Sequence, residues 1–165
     1  MTETLVLGLG NILMRDEGLG VRVVEHLLAR YEFPEGVQVM DGGTLGLELL
    51  PFLERARRLL VIDAVQARKE PGTLVRLTGD EIPVFLDASK VSPHQEGLQD
   101  LLAVALLKGY MPEEVIFWGA QVGTMEVGLD LSPAVAAQVE ALADRVLTEL
   151  RQWGIEPRPK EQVMA

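Results

Sequence analysis

Leu59-Leu60-Val61-Ile62-Asp63 is an unbroken apolar run that ends in an acid. Without polar alternation, such a run suits a strand covered on both faces, as in a parallel sheet with helices above and below. The neighbouring segments repeat the theme. Leu5-Val6-Leu7 is a second short apolar run, stopped by the turn signal Gly8-Leu9-Gly10-Asn11. Val37-Gln38-Val39-Met40-Asp41 alternates like a strand and runs into Gly42-Gly43-Thr44, and Val115-Ile116-Phe117-Trp118 reads as a last core strand. Thr73 to Thr78 is a further strand; the turn residues Lys69-Glu70-Pro71-Gly72 before it would let it lie antiparallel beside its predecessor.

Helical periods lie between these runs. From Asp16 onward Val24, Leu27, Leu28 and Tyr31 share one face, and Leu45 to Arg58 repeats the pattern through Leu49, Leu50 and Leu53 despite Pro51. Ser92-Pro93-His94-Gln95 opens a helix that runs to about Lys108, with Ser as cap, Pro in the first turn and Gln completing a capping box. Ser132-Pro133 opens the last one, with Val135, Val139, Leu142, Val146 and Leu150 as its buried stripe and Gly154 as its stop. The alternation implies an α/β fold: a three-layer αβα sandwich with a twisted, mostly parallel central sheet. Residues 1–154 read as one domain, and 155–165, polar and broken by prolines, as a mobile tail.

The chain has 165 residues, 48% apolar and 24% charged, which suits one folded domain with a real core. Fifteen Lys and Arg against 25 Asp and Glu leave a net charge of −10, a field that repels phosphate backbones and anionic lipid. Nucleic acid is therefore not an expected partner. There is no cysteine, so no disulfide, thiolate metal site or cysteine nucleophile can form. With the acidic opening Met1-Thr2-Glu3-Thr4, unlike a signal peptide, this points to the cytoplasm. Membrane insertion is not expected either, because the longest apolar run, Leu101 to Leu107, is far short of the roughly 18 residues of a span.

In an open α/β sheet, ligands bind outside the carboxyl ends of the parallel strands. That rule gathers Asp16 and Glu17 after the first strand, Asp41 at the end of the second, Asp63 at the end of the third, and His94 on the first turn of a helix. Oxygen and imidazole donors of this kind suit zinc, nickel, manganese or another divalent cation. Each residue also has a plainer reading. Asp16 reads as a helix N-cap in preference to a ligand, which leaves Glu17 as the better candidate. Asp41 either faces a substrate or holds the Gly42-Gly43 turn through its own side chain. His94 is a ligand or simply a polar first-turn residue, whereas Asp63 would be costly to bury without something facing it. Met14 and Met125 could line a peptide groove, although isolated methionines more often fill gaps.

Two rival chemistries find less support. Gly8-Leu9-Gly10 after a strand suggests a dinucleotide loop, but Leu13 stands at the third glycine position and Asp16 and Glu17 would repel a pyrophosphate. Asp41 also lies about ten residues beyond the ribose-binding acid expected roughly twenty residues on. Ser89 and Ser92 lie near His94, but no Gly-x-Ser-x-Gly elbow is present.

Taken together, Gly8-Leu9-Gly10-Asn11-Ile12-Leu13-Met14-Arg15-Asp16-Glu17-Gly18, Asp41-Gly42-Gly43-Thr44, Ile62-Asp63-Ala64 and Ser92-Pro93-His94-Gln95-Glu96-Gly97-Leu98 resemble the maturation endopeptidases of nickel–iron hydrogenases. The resemblance runs from the first strand to Leu131-Ser132-Pro133. One departure is Val122 after Gln121, where proline is expected in many relatives, which bears on the shape of that loop. The resemblance implies a metal-dependent or aspartyl-type peptidase that trims a C-terminal extension from the nickel-loaded large-subunit precursor. Glu17, Asp63 and His94 would be its metal-contacting and catalytic residues, and Asp41, Gly42 and Gly43 would contribute to the substrate cleft. It further implies that nickel arrives with the precursor as a recognition signal, while zinc could occupy the same donors. The alternatives are a non-catalytic, nickel-dependent maturation chaperone and a dinucleotide-binding protein.

Overall fold

The computed structural model describes residues 3–89 and 93–160, and the side chains of 3–88 and 97–160. In chain order it contains β1 (Thr4–Leu9), α1 (Leu19–Arg30), β2 (Tyr31–Glu32), β3 (Val37–Gly43), α2 (Leu50–Arg55), β4 (Arg58–Val65) and β5 (Leu74–Thr78). There follow α3 (Glu81–Ser89), α4 (Pro93–Lys108), β6 (Glu114–Gln121), α5 (Pro133–Ala136), α6 (Val139–Gln152) and β7 (Arg158–Pro159). The main sheet has the order β3-β1-β4-β6-β5; its first four strands are mutually parallel and β5 is antiparallel to β6.

The apolar run at 59–62 lies in the centre of this sheet, and β4 is buried along all but its first residue. Its residues divide by parity, as a strand's must. Leu59 and Val61 pack with Leu5, Leu7, Val115 and Phe117 beneath α2, α3 and α4. Leu60 and Ile62 pack with Val6, Ile116 and Trp118 beneath α1 and α6. The three-layer, mostly parallel sandwich expected from the strand and helix alternation is thus what forms.

Two glycines set how closely α1 lies on the sheet. A Cβ on Gly20 would collide with the backbone oxygens of Ile62 and Leu9, and one on Gly8 would collide with that of Gly20. Helix and strands therefore meet backbone to backbone. The buried face of α1 is Leu19, Val23, Val24 and Leu27. Leu28, expected on that face, is exposed, because it stands about 100° further round the helix than Leu27. Tyr31 has already left the helix for β2.

Other expectations need correction. The helix expected from Leu45 to Arg58 is confined to Leu50–Arg55, preceded by a 3-10 turn at Leu47–Leu49, since Pro51 can sit only in a first turn. β5 follows β4 in sequence but pairs with β6, because β4 already has parallel partners on both edges. The last helix divides into α5 and α6 around Ala137 and Gln138; its stripe survives, with Val135, Leu142, Val146 and Leu150 buried. Nor is the chain from 155 to 160 unpacked. Ile155 joins the α1 and α6 core, β7 pairs antiparallel with β2, and Lys160 donates to the Leu28 and Arg30 carbonyls at the end of α1. A cation there also suits the negative end of the helix.

One buried acid pins the antiparallel strand. Glu149 on α6 accepts from Arg76 Nε at 2.7 Å, Arg76 Nη2 at 3.2 Å and Trp118 Nε1 at 2.8 Å. It stands seven residues after Leu142, on the helix's apolar stripe, so its burial was marked in the spacing. No helix among the described residues is long and apolar enough to cross a membrane.

The close approach at Gly20 yields a test. Gly20→Ala should lower stability by about 2–4 kcal/mol, read as a fall in the urea midpoint, because backbone must move to admit the methyl group. Leu28→Ala on the same helix should change it by less than about 0.5 kcal/mol.

Candidate active site

The carboxyl ends of β1, β3, β4 and β6 form one rim of the molecule. At β1 the chain turns through Gly10, whose φ of +135° favours glycine, and a side chain there would strike the Glu17 carbonyl. The loop closes on itself: Asn11 N donates to Glu17 O at 3.1 Å, and Asn11 Oδ1 accepts from Leu13 N at 3.0 Å. A 3-10 turn, Arg15–Gly18, then buries Asp16 and Glu17 before α1 begins.

This turn packs against β4, so Glu17 and Asp63 come to the same end of the sheet. Glu17 is 6% exposed and Asp63 0%. Asp63 Oδ1 accepts from the Ala64 amide at 2.7 Å. In strand parity Asp63 follows Leu59 and Val61, toward the layer that contains α4. The beginning of α4 reaches this rim as well: an added Cβ on Gly46, in the loop after β3, would lie 3.3 Å from Gly97 Cα. His94 belongs to the helical turn before Gly97; its side chain lies outside the described residues.

Asp41 stands apart. In register it is level with Gly8, which is level with Ile62, so two strand spacings, about 10 Å, separate it from β4. It is exposed, and its Oδ1 accepts from Gly43 N at 2.7 Å. This is the turn-holding role weighed from the sequence. Gly42 is buried against Leu7 and Leu9, and Gly43 takes a φ of +49°. The three residues shape a corner of the rim. Among the described residues, no three carboxylate or imidazole groups gather closely enough to hold a metal ion. Glu17 and Asp63 supply two buried oxygen donors of a kind that divalent cations accept.

Asp16 does not cap a helix. It is fully buried, and its carboxylate accepts from Gly123 N at 2.7 Å, Thr124 N at 2.8 Å, Ser132 N at 2.7 Å and Ser132 Oγ at 2.8 Å. It therefore clasps the loop after β6 to the loop after β1. A second, unforeseen anchor is Gln121 at the end of β6. Its Oε1 accepts from Ala67 N at 2.6 Å and its Nε2 donates to Gln66 Oε1 at 2.7 Å, tying in the loop after β4. Beside it Val122 donates its amide to Val65 O at 3.0 Å, a bond that proline cannot make. The Val122 departure thus adds a tie between β4 and the end of β6.

The same geometry disposes of the dinucleotide loop. The start of α1 is preceded by the buried acids Asp16 and Glu17, where a phosphate would need exposed amides and no negative charge. Met14 pairs with Gly128 in an isolated parallel bridge, and Met125 is partly exposed on the facing loop. A concavity of about 870 Å³ lined by Glu3, Gly36, Arg58 and Trp153 opens among residues at the opposite end of the strands, away from the paired acids.

A family model for hydrogenase maturation proteases (HycI) matches residues 21–149, a span that holds Asp63 and His94 and begins after Glu17. The chain is 41% identical over 160 residues to the hydrogenase 2 maturation protease of Escherichia coli K12, covering 96% of this chain and 97% of that one. It is 48% identical over 155 residues to the hydrogenase expression/formation protein HupD of Rhodobacter capsulatus, covering 93% and 74%. The solved structure of the hydrogenase maturating endopeptidase HybD from E. coli superposes with a TM-score of 0.92 at 39% identity, covering 96% and 98%.

The electrostatics of the clasp can be measured. Burial by itself would raise the Asp16 carboxyl, but the bonds from Ser132, Thr124 and Gly123 outweigh it and hold the pKa below the ordinary value. A depressed carboxylate contributes stability above its unfolded pKa. That contribution begins to be lost near pH 4 and vanishes as pH falls through the lower, folded value. Asp16→Asn turns an NH2 group toward backbone donors. It should cost about 2–4 kcal/mol at pH 7 in chemical denaturation, and the difference from the native chain should shrink as the pH drops below about 4.

Proposed function

Given that the chain belongs to the hydrogenase maturation protease family, we propose that it removes a C-terminal extension from the nickel-loaded large-subunit precursor of a nickel–iron hydrogenase. The observation that carries this reading is the pair of buried carboxylates, Glu17 and Asp63, at the carboxyl end of the sheet, with the first turn of α4 at the same rim. The proposed place of action is the cytoplasm, which suits a chain without cysteine.

In this reading nickel is part of the substrate. It marks a precursor that is already loaded, and zinc would be a substitute for it in the test tube. Glu17 and Asp63 would receive it as oxygen ligands; His94 is assigned as the third donor on the resemblance of its motif. Once bound, the ion would polarise the carbonyl of the scissile peptide. The chain's own contribution is to exclude solvent, orient the bond and move a proton. A carboxylate oxygen of Glu17 or Asp63 that is not engaged by the ion would take a proton from the attacking water and deliver it to the departing amide nitrogen, so that water and the peptide bond yield an acid and an amine. No covalent intermediate is invoked. There is no cysteine, and the Ser132 hydroxyl is committed to Asp16.

Mass spectrometry of the purified nickel-loaded precursor after incubation with this chain tests the proposal. A shortened C-terminus is expected with the native sequence. Asp63→Asn, Glu17→Gln and His94→Ala should each slow processing by about 100-fold or more while retaining the native circular dichroism spectrum. A stable complex of intact mass would identify a chaperone instead, and unchanged processing by all three variants would overturn the site.

A further inference from the structure

Large apolar side chains left in water concentrate at the rim. Ile12 and Leu13 stand on the loop after β1, Leu45 and Leu47 on the loop after β3, and Val127 and Leu129 on the loop after β6. Val127 is 83% exposed, Leu129 61% and Leu13 58%. Their loops leave the strand ends at which Glu17 and Asp63 are buried.

These side chains are not exposed because their backbone is slack. Gly128 N donates to Leu13 O at 2.8 Å and Arg15 N to Gly128 O at 3.0 Å, joining two of the loops as a short parallel ladder. Arg15 Nε donates to Asp130 O at 2.9 Å, and Arg22 Nη2 to Leu129 O at 3.2 Å. Asp16 holds the same segment at Gly123, Thr124 and Ser132. The backbone of 123–132 is thus tied at both ends and in the middle while its apolar side chains point outward. Apolar groups presented on a pre-organised backbone bind with little ordering cost, and such patches mark contact surfaces.

We propose that these three loops form a docking surface for an extended, predominantly apolar segment of the protein substrate, held beside the bond to be cut. This rests on the peptidase reading above. The patch lies at the same rim as the acid pair, since Leu13 and Glu17 both stand on the connection between β1 and α1. Gly128 is bonded to Leu13 and Arg15, so Val127 and Leu129 stand beside Leu13, and the loop after β3 follows the strand next to β1, which brings the three apolar groups together beside β1. Exposed carboxylates beside these side chains, Asp41 at the end of β3 and Glu126 and Asp130 on the loop after β6, disfavour an acidic segment.

The test compares the combined Leu13→Ser, Val127→Ser, Leu129→Ser variant with a Leu106→Ser, Leu107→Ser control. The control residues are equally exposed, but lie at the far end of α4. All five side chains face water, so thermal midpoints should stay close to that of the native chain. Processing of the nickel-loaded precursor should show a KM raised about tenfold or more in the triple variant and a change below about twofold in the control. Binding of the unprocessed precursor, titrated separately by calorimetry, should weaken in parallel. Unchanged KM and binding in the triple variant, or an equal loss in the control, overturns the proposal. So does a dimer of the native chain that the triple variant dissociates, because a second copy would then be the occupant. If the native chain binds the precursor without cutting it while the triple variant binds less, the docking surface stands and the peptidase reading falls.

Discussion

A carboxylate with no access to water holds the working end of this molecule together. Asp16 accepts bonds from three backbone amides and one hydroxyl, all drawn from the segment after β6. Left without their acceptor, those donors would be partly buried and unsatisfied, and the two loops would be joined, among the described residues, only by the neutral backbone ladder at Gly128 and by the bonds of Asp16 N to Thr124 O and Arg15 Nε to Asp130 O. The charge is tolerable in the interior because it is spread over four short bonds. The geometry of Glu17, the next residue, depends on the same turn.

Around that clasp the sheet supplies position and the helices supply cover. Gly8 and Gly20 let α1 descend onto β1 and β4 until backbone meets backbone, which places the Arg15–Gly18 turn against the end of β4. Asp63 reaches its place because β4 is central and continues past its apolar run to Val65. At the other side of the sheet, Glu149 performs a related service with different partners. Burial would raise its pKa, but Arg76 and Trp118 reverse the effect and hold it low, and the bonds fasten β5 beneath α6. In both cases a costly buried acid is retained where it joins segments far apart in sequence.

Much of this was legible from local patterns. The continuous run at 59–62 marks a strand covered on both faces, and the acids at strand ends mark the rim. The failures have physical causes. Asp16 followed by a helix looks like a cap because capping is a local pattern, whereas its true partners lie 107 to 116 residues further along the chain. Leu28 matched a helical spacing, but burial depended on which part of α1 the sheet covered. β5 was placed beside β4 by the short turn between them, and the occupancy of both edges of β4 moved it to β6. The segment from 155 to 160 lacked a packing pattern of its own and was ordered by a strand formed far earlier in the chain.

By itself, the sequence determined the layered α/β class, the core strands and the rim at which Glu17, Asp41, Asp63 and the helix bearing His94 would collect, because hydrophobic periodicity and turn chemistry act over a few residues. Only the tertiary structure decided that Asp16 is a clasp, that Asp41 stands about two strand spacings from β4, and that the apolar residues of three loops face the same water. Those outcomes depend on which distant backbone donors meet a side chain and on which strand edges are still free when the sheet is complete. No local spacing encodes either.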